Sequence, residues 1–208
     1  MLTRSLNLGA LTTLALAIAA CSGSSNGSNH AETTATASSS ASTAPPEGPD
    51  DKLAPFPYTA KQLREACKTG RIITLLIEQP DKPAVKKRVR FMISDDERAT
   101  LVSELIDQNG KTLGDPEQQT VTWEELRHHA SYPRATTTIV DATAETPAGS
   151  FPCRRYTAIE PIEGGGERRT IACFAKELPG PPVEMTVEER GALVLSMSLL
   201  KNEPGSDP

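Results

Sequence analysis

The sequence has few aromatic residues and no excess of positive charge, and both shortages argue against nucleic-acid binding. Phe, Trp and Tyr make up 4% of the chain, so the stacking surfaces that bind single-stranded nucleic acids are scarce. The formal net charge of −5 gives a polyanion no electrostatic attraction. We therefore expect no nucleic-acid partner.

Short motifs that carry chemistry are missing as well. No C-x-x-C occurs, which argues against a redox pair of that type. One G-x-S-x-G is present, Gly23 to Gly27, but it lies in the Ser-rich stretch after Cys21 and follows no predicted strand, so it does not predict a nucleophile elbow. Gly164 to Gly166 are followed by neither a Lys-Ser/Thr pair nor a helix start, so this triple glycine predicts a hairpin turn. The sequence predicts a non-enzymatic protein that holds no cofactor.

The amino-terminal segment has the layout of a secretory signal peptide. It carries one basic residue, Arg4, then an apolar run from Leu6 to Ala20, with small residues directly before Cys21. The run is shorter than the ~18–20 residues that cross a bilayer, and a polar Ser/Gly/Asn stretch follows it. Residues 1–20 are therefore predicted to be a cleaved signal rather than a membrane span.

The residues Ile18-Ala19-Ala20-Cys21 resemble the lipobox of bacterial lipoproteins. The resemblance implies that Cys21 carries a thioether-linked diacylglycerol and that the new amino terminus is acylated, for example with palmitate. Several acyl chains give lasting attachment to a membrane. The resemblance also implies, since Ser22 and not Asp follows Cys21, an outer-membrane location facing the periplasm in an organism with two membranes.

Composition divides the rest of the chain. Residues 21–57 are rich in Ser, Thr, Ala and Pro and predict a disordered tether that begins at the lipidated cysteine. Residues 58–201 suffice for a single globular domain. Residues 202–208 are expected to be a flexible tail.

The domain is predicted to be mainly β (α+β), with two short helices. Thr59 is a candidate cap for the first helix, and Thr122 with Glu125 has the spacing of a capping box for the second. We treat 108–121 as a turn and a polar connection. About eight strands joined by short turns predict a curved antiparallel meander or an open barrel. The predicted strands are 71–79, 85–94, 98–107, 136–143, 151–160, 168–175, 184–189 and 193–200.

The element Pro147-Ala-Gly-Ser-Phe-Pro-Cys153 resembles a P-A-G-x-F-x-C hairpin element of uncharacterised bacterial secreted β-proteins. The resemblance covers roughly Val140 to Leu200 and implies a structural hairpin rather than a catalytic site. More distantly, the predicted sheet resembles the lipoprotein-carrier folds of the periplasm, which is an analogy of fold.

Besides Cys21, the chain contains Cys67, Cys153 and Cys173. Cys153 and Cys173 lie on predicted strands that flank the triple glycine, so antiparallel pairing brings them within a residue or two of register. We favour a Cys153–Cys173 disulfide, which in the chain-entropy model would contribute roughly 3 kcal/mol. Pairing of Cys67 with either of the other two remains an alternative.

The best candidate for a metal site is a group of Glu and His on the second helix. Glu124 and His128 are four residues apart, as are Glu125 and His129. Two adjacent histidines point about 100° apart, so His128 and His129 do not readily chelate one ion. We favour a solvated helix face and keep His128, His129 and Glu125 as weak metal candidates.

Two classes of function stay open. The first is a membrane-anchored binding or assembly module, whose partner is an envelope protein or an apolar ligand held by a concave sheet. The second is an enzyme with a site that the sequence does not disclose. Since no acid, base and nucleophile set is recognisable, the first class is favoured.

Overall fold

The described part of the chain, residues 52–206 of a computed structural model, contains one large antiparallel sheet. The predicted signal at 1–20, the lipidated Cys21 and the tether up to residue 51 lie outside the described residues. The sheet has nine strands, in the order β4-β3-β2-β1-β9-β8-β7-β6-β5. Two helices and a 3₁₀ turn at Arg134–Thr136 accompany it.

The elements have the following bounds: α1 Ala60–Ala66, β1 Ile72–Gln79, β2 Lys82–Ser94, β3 Arg98–Ile106, β4 Thr112–Thr122, α2 Trp123–His128, β5 Thr137–Thr146, β6 Gly149–Pro161, β7 Glu167–Ala175, β8 Glu184–Glu189 and β9 Ala192–Glu203.

Two meanders share the middle of the sheet. Strands β1 to β4 run outward to one edge, and the chain then crosses through α2 to the opposite edge, where β5 begins. Strands β5 to β9 return to the centre, and β9 pairs with β1, with Ile72 opposite Glu203. Since β4 and β5 are both edges, the sheet is open. The predicted mainly β, antiparallel meander with two short helices is confirmed.

Both helices begin at capping boxes. At α1, the Thr59 hydroxyl accepts a hydrogen bond from the backbone amide of Gln62, and the Gln62 side chain accepts one from the backbone amide of Thr59. At α2, Thr122 and Glu125 form the same reciprocal pair. Trp123 is buried at the start of α2 and donates its indole N–H to the carbonyl of Asp95, 2.9 Å away. This bond attaches α2 to the turn between β2 and β3.

Strand β4 corrects the sequence analysis, which treated these residues as a polar connection. All of its residues except Val121 are exposed, and the strand pairs with β3 over most of its length. An edge strand whose two faces are both exposed to solvent lacks the alternation of apolar and polar residues by which strands are recognised in a sequence. Pro116 and the acidic residues beside it are typical of an exposed edge.

Ile93 departs from the alternation along β2. Strict alternation would place Ile93 on the same face as the buried Phe91, but a bulge between these two residues shifts the register. Ile93 then pairs with Thr100 and is 58% exposed.

The folded part begins before the predicted boundary at Tyr58. Leu53 forms a β-bridge with Pro133, and the Ala54 amide donates to the Tyr132 carbonyl over 2.8 Å. The Tyr156 hydroxyl donates to the Pro55 carbonyl over 2.8 Å. We call residues 53–57 the strap, because they hold the chain against β6 and the segment after α2. The predicted tail is also partly ordered, since β9 extends to Glu203.

Candidate functional site

One face of the sheet holds the hydrophobic core. On it, residues of the central strands are buried together with Leu63 of α1 and Trp123 of α2. The sheet members include Ile73, Leu75, Phe91, Leu101 and Leu199. Because each helix has only two turns or fewer, the two helices cover part of this face and leave the rest open.

At the margin of the core, the same face carries a row of apolar side chains that crosses six adjacent strands from β4 to β8. We call it the open apolar band; its residues are Leu113, Leu105, Val85, Ile77, Leu195 and Val187. They form registered cross-strand pairs, Leu113 with Leu105, Ile77 with Val85 and Val187 with Leu195. Leu105 is 39% exposed and Leu113 37%, and the other four are partly buried. Lys87, opposite Leu105, adds a positive charge within the band.

Neither of two shallow grooves found elsewhere involves this band. One is lined by Gly166, Glu167, Arg169, Glu188, Arg190 and Gly191, at the ends of two hairpins. The other, of about 400 Å³, is lined by residues of β5 to β8 that lie on the opposite face of the sheet. The open apolar band is therefore a surface rather than part of either groove.

Over β6 and β7 the core face is filled by aromatic rings. Tyr58, Tyr132, Tyr156 and Phe174 pack with ring centroids 5.3–6.4 Å apart. The Tyr58 hydroxyl donates to the Ala175 carbonyl over 2.6 Å. Burial raises the pKa of Tyr132 to about 12, and it raises the pKa values of Tyr58 and Tyr156 too. These phenols are neutral at physiological pH, and those of Tyr58 and Tyr156 donate hydrogen bonds to backbone carbonyls.

The Glu and His residues of α2 have separate local roles. The Glu125 carboxylate accepts hydrogen bonds from the backbone amide and the hydroxyl of Thr122, at 2.7 and 2.9 Å. The hydrogen bond from the backbone amide holds the pKa of this carboxyl below its usual range. Glu124 accepts from Arg127. In residues 52–206, no group of three or more His, Cys, Asp or Glu side chains is placed to hold a metal ion.

His128 and His129 point to different surroundings. The His128 ring packs edge-on to Phe56 of the strap, with centroids 5.0 Å apart. His129 is more than a third exposed and lies near Glu125 and Lys87; burial of the rest of its side chain lowers its pKa, although the Glu125 carboxylate opposes the change. Of the weak metal candidates, His128 thus packs against a ring, Glu125 caps α2 and His129 is exposed to solvent.

The three described cysteines are free and buried. The structure therefore lacks the Cys153–Cys173 disulfide that the sequence analysis favoured. Cys153 pairs with Ala175 and Cys173 with Arg155, so the two cysteines are diagonal neighbours on one face, two residues out of direct register. Burial raises the pKa of Cys153, and the neighbouring Cys173 thiol adds to this effect.

Cys67 lies away from the other two, at the carboxyl end of α1, where it contacts the buried Arg71. The Arg71 guanidinium is 2% exposed and has no carboxylate among its hydrogen-bond acceptors. It donates to the carbonyls of Pro179 and Ala66 and to Asn202. It also lies 3.1 Å from the Cys67 sulfur. This side chain joins α1, the loop before β8 and the end of β9.

The sequence has three short runs of adjacent basic residues, 86–88, 154–155 and 168–169, and one arginine of each run has its own separate partner. Arg88 binds Glu104 at 2.9 Å, and Arg168 binds Glu189 at 2.7 Å. Arg154 donates to the Pro57 carbonyl of the strap. These charges stabilise strand pairs and the strap and do not converge on an anion site.

Two features of the surface were not anticipated from the sequence. The open apolar band was missed because Leu113 belongs to the unrecognised strand β4. The placement of Arg155 opposite Cys173 required the register of β6 on β7, although the alternation along both strands could have placed these residues on one face.

In residues 52–206, no helix combines the length and the apolar character that crossing a membrane requires. No family model matches the chain, and no curated protein matches it significantly.

Proposed function

We propose that this chain is a lipid-anchored lipoprotein of the bacterial cell envelope that acts, without enzymatic activity, as an assembly module for another envelope protein. The lipobox-like residues before Cys21 support the anchor. The observation that carries the binding role is the open apolar band, with Leu105 and Leu113 both more than a third exposed on adjacent strands. Exposed apolar groups in a row are typical of protein contact surfaces.

A protein partner fits this surface better than a carried lipid. A small apolar ligand is usually held in a concave site that covers most of its surface. The open apolar band lies on a sheet face and lines neither of the two grooves described above. A partner that presents an apolar patch and an acidic group would cover the band and pair with Lys87.

Cross-linking in intact cells tests the binding role. A photo-reactive residue is placed at position 113 of the full chain, and a matched control at Gln118, which lies on the opposite face of β4. We expect a discrete protein adduct from position 113 that disappears in the Leu105→Glu variant. Equal adducts from both positions, or an adduct insensitive to Leu105→Glu, would contradict the assembly role. Lipid recovered in native mass spectra would favour a carrier.

Fractionation tests the anchor separately. The native chain is expected in the membrane fraction at the mass of a lipidated, processed product. Cys21→Ser is expected to give a soluble or unprocessed chain. Membrane association of this variant at normal size would exclude the anchor at Cys21 while leaving the binding role open.

A further inference from the structure

The second groove contains a chemical feature that the assembly role does not use. Its lining comprises Val140, Arg155, Thr157, Arg169, Ile171, Cys173, Glu184 and Thr186. Cys173 is 1% exposed and lies at the floor of this groove, whereas Cys153, the other member of the pair, does not line it. The two residues are buried diagonal neighbours, and only Cys173 lines the groove.

Polar partners surround Cys173 on its own face of the sheet. Arg155 lies directly opposite it on β6 and lines the same groove. Glu184 lies opposite it on β8. In disulfide exchange the nucleophile is the thiolate, and Arg155 supplies a positive charge in the groove where that anion would form. Glu184 supplies a negative charge in the same groove.

We propose that Cys153 and Cys173 are a redox-active dithiol, in which Cys173 attacks a small disulfide that enters the groove and Cys153 completes the exchange. In the first step, the Cys173 thiolate forms a bond to one sulfur of the disulfide R–S–S–R, and one RS⁻ leaves. In the second step, the Cys153 sulfur attacks Cys173, and the second RS⁻ leaves. The protein loses two hydrogens and two electrons to form one disulfide, and R–S–S–R becomes two RSH.

The diagonal placement accounts for both the free and the oxidised states. Diagonal neighbours on adjacent strands have Cα atoms about 7–8 Å apart, slightly more than the usual span of a disulfide. The thiols can therefore remain reduced, while oxidation requires a small approach of β6 and β7. A disulfide formed under this constraint is expected to be reduced readily by a dithiol reagent.

The pairing is tested by adding cystamine, a small disulfide, to the reduced full chain. We expect the intact mass to fall by about 2 Da, the mass of two hydrogens. A non-reducing peptide map should link the peptides of Cys153 and Cys173. The Cys67→Ala variant is the matched control, because it removes a buried cysteine outside the pair and should show the same change. A link to Cys67, or no link after prolonged treatment, would overturn the proposal.

Single variants test the order of attack. Cys153→Ala should stop after the first step and retain one cysteamine on Cys173, whereas Cys173→Ala should modify Cys153 about tenfold more slowly or not at all. Equal labelling of the two variants would contradict the assigned order. Near-ultraviolet circular dichroism of each variant checks that the fold is retained, and an unfolded variant is replaced by the corresponding Ser substitution.

The role of Arg155 is tested in the same reaction. Arg155→Gln should slow modification of Cys173 by about tenfold, and Arg155→Lys should restore part of the rate. Arg169→Gln is the control, since Arg169 lines the same groove but pairs with Glu188 at 3.5 Å. Equal effects of the Arg155→Gln and Arg169→Gln variants would show that Arg155 has no specific role.

Discussion

At the scale of single residues, this domain uses buried polar side chains as connectors between elements. Arg71, Tyr58 and Tyr156 all reach backbone carbonyls that belong to distant segments. Buried carbonyls need donors, and a donor from elsewhere in the chain satisfies the carbonyl and fixes the segment at once. Positions of this kind are expected to respond strongly to substitution.

Arg71 offers the first prediction. Arg71→Met should lower the free energy of unfolding by about 2–4 kcal/mol, since the Pro179 carbonyl and Asn202 lose their donor in a buried site. Chemical denaturation measures the change. Arg168→Met is the control, because its exposed pair with Glu189 contributes under about 1 kcal/mol. Equal losses would mean that Arg71 is not a connector.

His129 offers a prediction about pH. Burial lowers its pKa in the folded state, so the unfolded chain binds the proton more readily as the pH falls below about 6.5. Stability should therefore decrease from pH 7.5 to 5.5, at well under the limit of about 1.4 kcal/mol per pH unit for one proton. Denaturation at several pH values should show a smaller decrease for His129→Gln. His128→Gln, which leaves His129 in place, should retain the decrease.

At the scale of elements, strand interiors were predictable and strand edges were not. Strands β1 and β8 were found almost to the residue, because apolar residues recur with the strand period there, as Ile73 and Leu75 in β1 and Met185 and Val187 in β8. The register of β6 on β7 was expected to bring the two cysteines within a residue or two of each other, and the observed pairing is offset by two residues. Strand β4, the bulge before Ile93 and the strap depend on contacts between distant segments, which a local pattern does not contain.

The strap supplies a prediction at this scale. A chain that begins at Lys52 should have the stability of the full chain. A chain that begins at Tyr58 should lose about 2–4 kcal/mol, because it lacks the carbonyls and the amide that bind Tyr132, Arg154 and Tyr156. Thermal and urea unfolding of both chains provide the comparison. Identical midpoints would show that the strap contributes nothing to stability.

Gly205 marks the close approach of the chain after β9 to the turn before β1. A Cβ there would lie 2.4 Å from the Thr69 carbonyl oxygen and 2.6 Å from that of Lys68. Since both contacts are to backbone, Gly205→Ala should destabilise the fold by about 2–3 kcal/mol. Ser206→Ala is the control, because Ser206 contributes its amide and not its side chain to the bond with Thr69. Denaturation midpoints that fall equally would contradict this account.

At the scale of the whole molecule, the pairing of β1 with β9 makes one cooperative unit of two meanders. The only tryptophan, Trp123, is attached to the turn between β2 and β3, while the three tyrosines pack over β6 and β7. We expect tryptophan fluorescence and tyrosine circular dichroism to report the same urea midpoint. Separate midpoints would show that the two meanders unfold independently.

The position of β9 also determines when the fold can form. Ile73 and Leu75 of β1 are buried together with residues that the ribosome adds long afterwards, among them Leu199. A growing chain therefore keeps a long apolar strand without its neighbour until β9 has been made, and such strands attract chaperones and aggregate. For this protein, a stop codon just before β9 should be nearly as damaging as one in the middle of the domain.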